Sequence, residues 1–299
     1  MLMETTLAAM LESGVIDSAI SDYLTVRPLA GAIGAEVIDI DLRGTLSDAT
    51  VNALRKALLD YGVIFFHEQE LDVLSHKRFA QLFGEIFIHP FFDTRGKDPE
   101  IVMIERTPGD THIVGEDWHS DTAMAKEPPM GAVLYAIEVP EYGGDTIFAS
   151  QIHAYEALSE GLKQMIANLK AHNSDCRVAG PMTDRNENRT TKSRTDLDWL
   201  ETSSIHPIVR THPETGRKSL YCDRSYTIRF EGMTEEESWP LLTFLMDWGT
   251  RPEFTCRFRW RRGSVAFWDN RCTKHIAVDD SHQQRRIMRR IQIAGDKPF

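Results

Sequence analysis

FTCRFRWRRGSVAFWDNRCTKHIAVDDSHQQRRIMRRIQI, residues 254–293, decides the fold class. Phe254–Trp260, Ser264–Trp268 and Arg286–Ile293 are rich in β-branched and aromatic residues and are separated by a glycine or charged turns, which marks short strands. Upstream, the pattern recurs at Leu24–Pro28, Glu36–Leu42, Val63–Phe66, Ile101–Glu105, Ala132–Ile137 and Pro207–Thr211. Helical signals are fewer. Ser47 precedes an apolar series (Val51, Leu54, Leu58) that stops at Gly62, an N-cap followed by a C-terminal glycine. Leu71–Phe83, ending at Gly84, and Leu162–Ala171 also read as helices. Thr234-Glu235-Glu236-Glu237 is a capping box opening a helix that reaches Gly249. Many short strands with a few helices outside them predict a mainly β, α+β protein on a double-sheet barrel, not βαβ units.

Length and composition narrow the function. The chain has 299 residues, 41% hydrophobic and 26% charged, with no low-complexity tract or repeat; this suits an ordered globular protein. We read residues 1–22 as a marginal helical extension and 23–299 as one domain. A formal net charge of -11 argues against nucleic acid or an anionic membrane as partner, since both need an extended basic surface. The one basic cluster, Arg285 to Arg290, suits a small anion better. The first twenty residues carry no Lys or Arg and no long apolar run, so a cytoplasmic protein is expected. Cys176, Cys222, Cys256 and Cys272 form no C-x-x-C pair and read as buried, reduced thiols. The polar stretch from Asn173 to Ser204, with Asp184, Arg185, Asn186, Glu187, Asn188 and Arg189, is expected to be a mobile lid or binding loop.

One spacing carries chemistry. Trp118-His119-Ser120-Asp121 contains H-x-D, and on an extended segment residues two apart point to one side, so both can reach one ion. A third candidate ligand, His275, lies just beyond the apolar strand ending at Trp268. Two His and one carboxylate leave open coordination positions, as O₂-activating iron(II) requires, whereas closed structural zinc takes four protein ligands. Arg286 and Arg290 are four apart on the next strand and share a face. Guanidiniums on an inward face are costly unless they meet anions, so two anion sites are implied, while Arg285 and Arg289 suit a solvated edge. Gly143-Gly144-Asp145-Thr146 is a turn leading into a strand, and Thr146 could set a hydroxyl beside one anion.

Together these residues resemble the taurine and dichlorophenoxyacetate dioxygenase family, from about Val26 onward. The densest stretches are Asp117-Trp118-His119-Ser120-Asp121, Gly143-Gly144-Asp145-Thr146, Thr211-His212-Pro213, Phe267-Trp268-Asp269-Asn270-Arg271 and Gln284 to Arg290. The resemblance implies a double-stranded β-helix (jelly-roll) core and iron(II) on His119, Asp121 and His275. It implies O₂ and 2-oxoglutarate as co-substrates, with the distal carboxylate of 2-oxoglutarate held by Arg286 and Thr146. It further implies a small acidic organic substrate held by Arg290, and a dimer or tetramer. Ile88-His89-Pro90-Phe91-Phe92 resembles the family's substrate loop, which makes His89 and Phe92 candidates. Phe92 stands where a phenol is expected and Gly115 where an amide is expected, so the pocket should prefer a more apolar acid, whether sulfonate, sulfate ester or aryloxyalkanoate. Two other classes stay open: a non-catalytic jelly-roll metal- or ligand-binding protein, and a zinc hydrolase using the same triad.

Overall fold

The computed structural model describes residues 23–90, 92, 98–179, 183–185, 187, 189–193, 201–281 and 284–299. The expected helical extension at 1–22 lies outside them. In chain order the elements are β1 (Thr25–Pro28), β2 (Ala35–Ile38), α1 (Asp48–Tyr61), β3 (Val63–Phe66), α2 (Val73–Gln81), β4 (Ile86–Phe87), β5 (Val102–Arg106), β6 (Gly131–Glu138) and β7 (Thr146–Ser150). There follow α3 (Gln151–Glu156), α4 (Glu160–Ile166), β8 (Lys170–Ser174), β9 (Ser203–Pro207), β10 (Val209–Thr211), β11 (Lys218–Leu220) and β12 (Thr227–Phe230). The last are α5 (Glu235–Trp248), β13 (Thr255–Phe258), β14 (Val265–Asp269), β15 (Thr273–Ala277) and β16 (Arg286–Ile293).

A large sheet runs β1-β2-β3-β14-β6-β16-β4, with β5 also paired to β16, and a small sheet runs β13-β7-β15. Their shared side chains explain why the central strands are apolar on both faces. Val63 and Phe65 of β3, Ala266 and Trp268 of β14 and Met288 of β16 pack between the two sheets with Phe148 and Phe258. The alternate residues Ile64, Phe66, Val265, Phe267, Ile291 and Ile293 pack outward under α1 and α2, against Leu54, Leu58 and Phe79. Period-two alternation thus serves two cores at once. Truncating Phe267 to Ala would cost about 3–5 kcal/mol. The helices are terminated as their sequences dictate: Ser47 accepts from Thr50 N, Gly62 closes α1 at φ 69°, and Thr234 and Glu237 form the full capping box.

Three expectations need correction, and one strand went unseen. The helix foreseen at Leu162–Ala171 stops at Ile166, and Lys170–Ser174 is the strand β8. There Ala171 and Asn173 are buried, pairing with His206 and Ser204 of β9, so tertiary pairing overrides local helical preference. His275 lies beyond β14, as expected, and on a further strand, β15. β15 went unseen because Lys274 and His275 interrupt its apolar character, yet both are buried. Arg289 is not solvated: it is buried, donating to Leu71 O at 2.6 Å, Asp72 O at 2.9 Å and His76 Nδ1 at 3.1 Å. Cys176 is only half-buried, while the other three cysteines are buried and all four are free.

The polar stretch 173–204 is closed at its base. Asn173 pairs with Ser204 and Ser174 with Ser203, and Asp175 and Thr202 exchange two hydrogen bonds of 3.2 and 3.1 Å. Among the described residues no helix is long and apolar enough to cross a membrane.

Candidate active site

The segment 115–121 lies alongside β15. His119 and His275 exchange backbone hydrogen bonds of 3.1 and 2.9 Å, and Ala277 N donates to Gly115 O at 2.8 Å. This pairing sets the two imidazoles 4.2 Å apart, centre to centre. His119, Asp121 and His275, all buried, offer ligand atoms within 4.8 Å of one another. Ser120 points the other way, donating to Thr273 O at 2.7 Å, as alternation along an extended segment requires.

The donor chemistry suits a divalent cation. His119 Nδ1 lies 2.7 Å from Asp117 O, so it carries the proton and leaves the Nε2 lone pair facing Asp121, 3.7 Å away. Asp121 Oδ2 and His275 Nδ1 are buried with no hydrogen-bond partner, a costly arrangement that a metal would relieve. Burial, then the neighbouring His119, pushes the His275 pKa well below its ordinary value, so the ring stays a neutral ligand. Asn270 clamps the Asp121 backbone, accepting from its N–H and donating to its carbonyl, each at 2.9 Å. That role was not apparent in the sequence. Gly115 has φ 85°, and a Cβ there would sit 3.2 Å from His119 Cε1, so glycine is required by backbone and by space.

A second cluster, His212, Asp269 and Cys272, is a strut instead. Asp269 accepts from Arg271 Nε and Nη2 at 2.8 and 2.6 Å and from His212 Nε2 at 3.0 Å. His212 Nδ1 accepts from Glu214 N and Thr215 N. No ligand lone pair is left over on the imidazole, and the guanidinium already occupies the carboxylate. This network braces the turn that carries Asn270 and leads into β15.

Two cavities meet at this centre and a third adjoins them. One is walled by Thr146, Phe148, Trp268, His275, Arg286 and Arg290, among others. Thr146 Oγ1 accepts from Trp260 Nε1 at 2.9 Å, and Arg286 lies over the Trp260 ring at 5.7 Å. Burial, and then Arg106, lower the Arg286 pKa well below its ordinary value, to about 10, and its Nε is buried without a partner. A cation in that condition is stabilised by an anion. The second cavity, on the other side of His119 and Asp121, includes His89, Phe92, Val178, Tyr226, Arg189 and Arg290 in its wall. The third adjoins the first at Ile104, Val114, Ala277 and Arg286. Burial, reinforced by Arg290, keeps His89 neutral, and burial with Asp121 nearby keeps the Tyr226 phenol protonated.

The inward register foreseen for β16 is present, since Arg286 and Arg290 both line the inner cavity while Arg289 faces α2. The structure adds a contact that spacing could not show. Arg290 Nη1 donates to Asp121 Oδ1 at 2.7 Å, leaving Nε and Nη2 buried without partners. Arg290 therefore orients a candidate ligand as well as facing the second cavity. Tyr226 carried no sequence signal; it reaches the cavity through the turn held by Asp223, which accepts from Ser225 N and Tyr226 N.

The sequence profile described as taurine catabolism dioxygenase TauD, TfdA family matches residues 25–292. The chain belongs to this TauD, TfdA family. It is similar to an alkylsulfatase of Acinetobacter baylyi, 35% identical over 278 residues, 92% of this chain and 86% of that one. It is equally similar to an alpha-ketoglutarate-dependent sulfate ester dioxygenase of Pseudomonas putida, 35% identical over 277 residues, 92% of this chain and 91% of that one. The crystal structure of a taurine dioxygenase from Burkholderia xenovorans superposes with a TM-score of 0.77 at 36% identity, covering 92% of this chain and 91% of that one. As a TauD, TfdA family member the chain is a 2-oxoglutarate-dependent dioxygenase with a β-rich jelly-roll core, using iron(II), 2-oxoglutarate and O₂ on a small organic substrate.

Proposed function

We propose that the chain oxidises the ester-bearing carbon of an alkyl sulfate. In this reading His119, Asp121 and His275 hold iron(II), and Thr146 and Arg286 hold the distal carboxylate of 2-oxoglutarate. Arg290, His89 and Phe92 line the seat of the substrate. The observation that carries the reading is the make-up of the second cavity: guanidinium donors sit beside Phe92, Val178 and Val114 within reach of His119 and Asp121. Such a wall suits an anion with an apolar body. The likeness to two sulfate-ester enzymes favours sulfate over sulfonate and carboxylate heads.

When bound, the iron centre supplies the oxidant that places one atom of O₂ in the substrate C–H bond, the other entering succinate as 2-oxoglutarate loses CO₂. The chain's own residues hold and exclude. Arg286 and Thr146 fix the co-substrate, and Arg290 fixes the substrate head and the Asp121 carboxylate together. Phe148, Trp268 and Phe92 keep water from the reacting carbon. The product R–CH(OH)–OSO₃⁻ then breaks its C–O bond, the hydroxyl proton leaving with the sulfate, to give an aldehyde and HSO₄⁻. Sulfate is a weak base, so this step needs no acid from the protein.

The test is a screen of alkyl sulfates, alkanesulfonates and aryloxyalkanoates for succinate formation, with hexyl sulfate expected to lead. Preference for an aryloxyalkanoate would displace the substrate assignment. The anaerobic iron(II)–2-oxoglutarate protein should show a weak visible charge-transfer band that His119→Ala or His275→Ala abolishes. Retention of the band would remove those ligands. A cytoplasmic dimer or tetramer completes the reading; a monomer in sedimentation would correct that part alone.

A further inference from the structure

Tyr226 reaches the wall of the substrate cavity from the loop between β11 and β12. Both of its backbone groups are paired. Asp223 Oδ1 accepts from Tyr226 N at 2.8 Å and from Ser225 N at 3.0 Å, while Ser174 N donates to Tyr226 O at 2.8 Å. The other oxygen of the same carboxylate, Asp223 Oδ2, accepts from Ser120 N at 3.3 Å. Ser120 lies between His119 and Asp121, so one buried carboxylate ties the Tyr226 turn to the segment of the metal centre. The ring packs in one apolar cluster with Phe92, Met124, Val178 and Ala179, and it meets the His119 imidazole edge-on at 6.5 Å. Tyr226 is only 6% exposed, and among the described residues no group hydrogen-bonds its hydroxyl. Burial, then Asp121 and Asp223, raise its pKa while Arg290 works against them. The phenol therefore keeps its proton, and its hydroxyl is a donor.

What Arg290 can give an anion is limited. Its Nη1 is committed to Asp121 Oδ1 at 2.7 Å, and Nε and Nη2 remain buried without partners. Those two N–H groups form one edge of the guanidinium, a fork whose spacing matches the two oxygens of a carboxylate. A sulfate ester or sulfonate head carries a third terminal oxygen that this fork leaves over, and an anionic oxygen without a donor in a closed cavity is costly. Of the other guanidiniums in the wall, Arg185 pairs with Asp117 and Glu116, and Arg189 donates to Ser193. Phe92 has no donor to offer. We propose that the Tyr226 hydroxyl donates to this third oxygen, and that Arg290 and Tyr226 together select sulfate and sulfonate heads over carboxylates. The inference rests on the proposed substrate cavity and goes beyond it in naming what sets head-group choice.

The experiment titrates hexyl sulfate and heptanoate, by calorimetry, into the anaerobic iron(II)–2-oxoglutarate protein and its Tyr226→Phe variant, which keeps the ring and its packing. Loss of a hydrogen bond to a charged group predicts that the variant binds hexyl sulfate at least ~10-fold more weakly, with heptanoate, iron(II) and 2-oxoglutarate affinities changed less than ~3-fold. The preference for sulfate over carboxylate should fall accordingly. Wild-type binding of hexyl sulfate that survives unchanged in Tyr226→Phe would overturn the inference and leave the proposed function standing. An equal loss for heptanoate would also overturn it, because the hydroxyl would then not distinguish the heads. A loss of iron(II) affinity in step with hexyl sulfate would overturn it too, by assigning the hydroxyl to Asp121. A wild-type protein that binds no organosulfate would remove the proposed substrate and this inference with it.

Discussion

Replacing Arg286 by Met should weaken 2-oxoglutarate binding and leave the ligand-free protein no less stable. The side chain of Met keeps most of the packing against Trp260 while deleting the charge. In the ligand-free protein this guanidinium is held below its ordinary pKa, at about 10, by burial and by Arg106. At 1.36 kcal/mol per pKa unit that is at most about 3 kcal/mol of penalty, and less in practice because the residue is partly exposed. A ligand carboxylate in the cavity of Thr146 and Arg286 relieves that penalty and adds a charge-assisted pair. Truncating such pairs typically costs about 2–5 kcal/mol, so a value near 3 corresponds to roughly 100-fold in Kd. The assay is anaerobic titration of the charge-transfer band with 2-oxoglutarate, beside a thermal melt without ligand. The two readouts should move apart: Kd up roughly 100-fold, Tm unchanged or higher. A Kd within about threefold of wild type, or a Tm lowered by several degrees, would refute the reasoning.

Arg289→Met should behave in the opposite way, losing about 2–4 kcal/mol of unfolding free energy because three acceptors, two of them buried, lose their donor, with both substrate KM values near wild type; urea denaturation and steady-state kinetics check this. Acid should destabilise the fold through His76, whose Nε2–H donates to Val133 O and whose Nδ1 accepts from Arg289. Burial and Arg289 lower its pKa to about 3, so below the unfolded value of 6.5 the unfolded chain binds the extra proton and stability falls with falling pH. From pH 6.5 to 5 this amounts to about 2 kcal/mol, measurable by urea denaturation and absent in a folded His76→Gln variant. Gly115→Ala should lose iron(II) affinity by at least about tenfold in anaerobic titration, since φ 85° and a Cβ 3.2 Å from His119 strain the segment by about 1–3 kcal/mol; unaltered iron binding would show that the backbone gives way freely.

What the sequence disclosed follows from what periodicity can express. Val63–Phe66, Val265–Asp269 and Arg286–Ile293 were legible because both faces of these strands meet apolar layers or bear one repeated charge. The face shared by Arg286 and Arg290 came from alternation alone. β15 was not legible, since Lys274 and His275 look like solvated residues and only the fold buries them. Lys170 and Ala171 were misread as the end of a helix because the partners of β8, Ser203–Pro207 and Thr227–Phe230, lie far along the chain. The ligand triad was visible as residue types, whereas its supports were not. Asn270 clamps Asp121 from 149 residues away, and Arg290 does so from 169. Arg289 has the composition of a surface arginine and is known as a buried one only by its three acceptors.

Oxygen accounting tests the central claim most directly. The protein, with iron(II), 2-oxoglutarate and hexyl sulfate under ¹⁸O₂, should release sulfate, succinate and CO₂ in equal amounts, with one labelled oxygen in each succinate, and none of this should occur without 2-oxoglutarate. Sulfate released without O₂ or 2-oxoglutarate, with no succinate formed, would mean hydrolysis at the metal and would contradict the account.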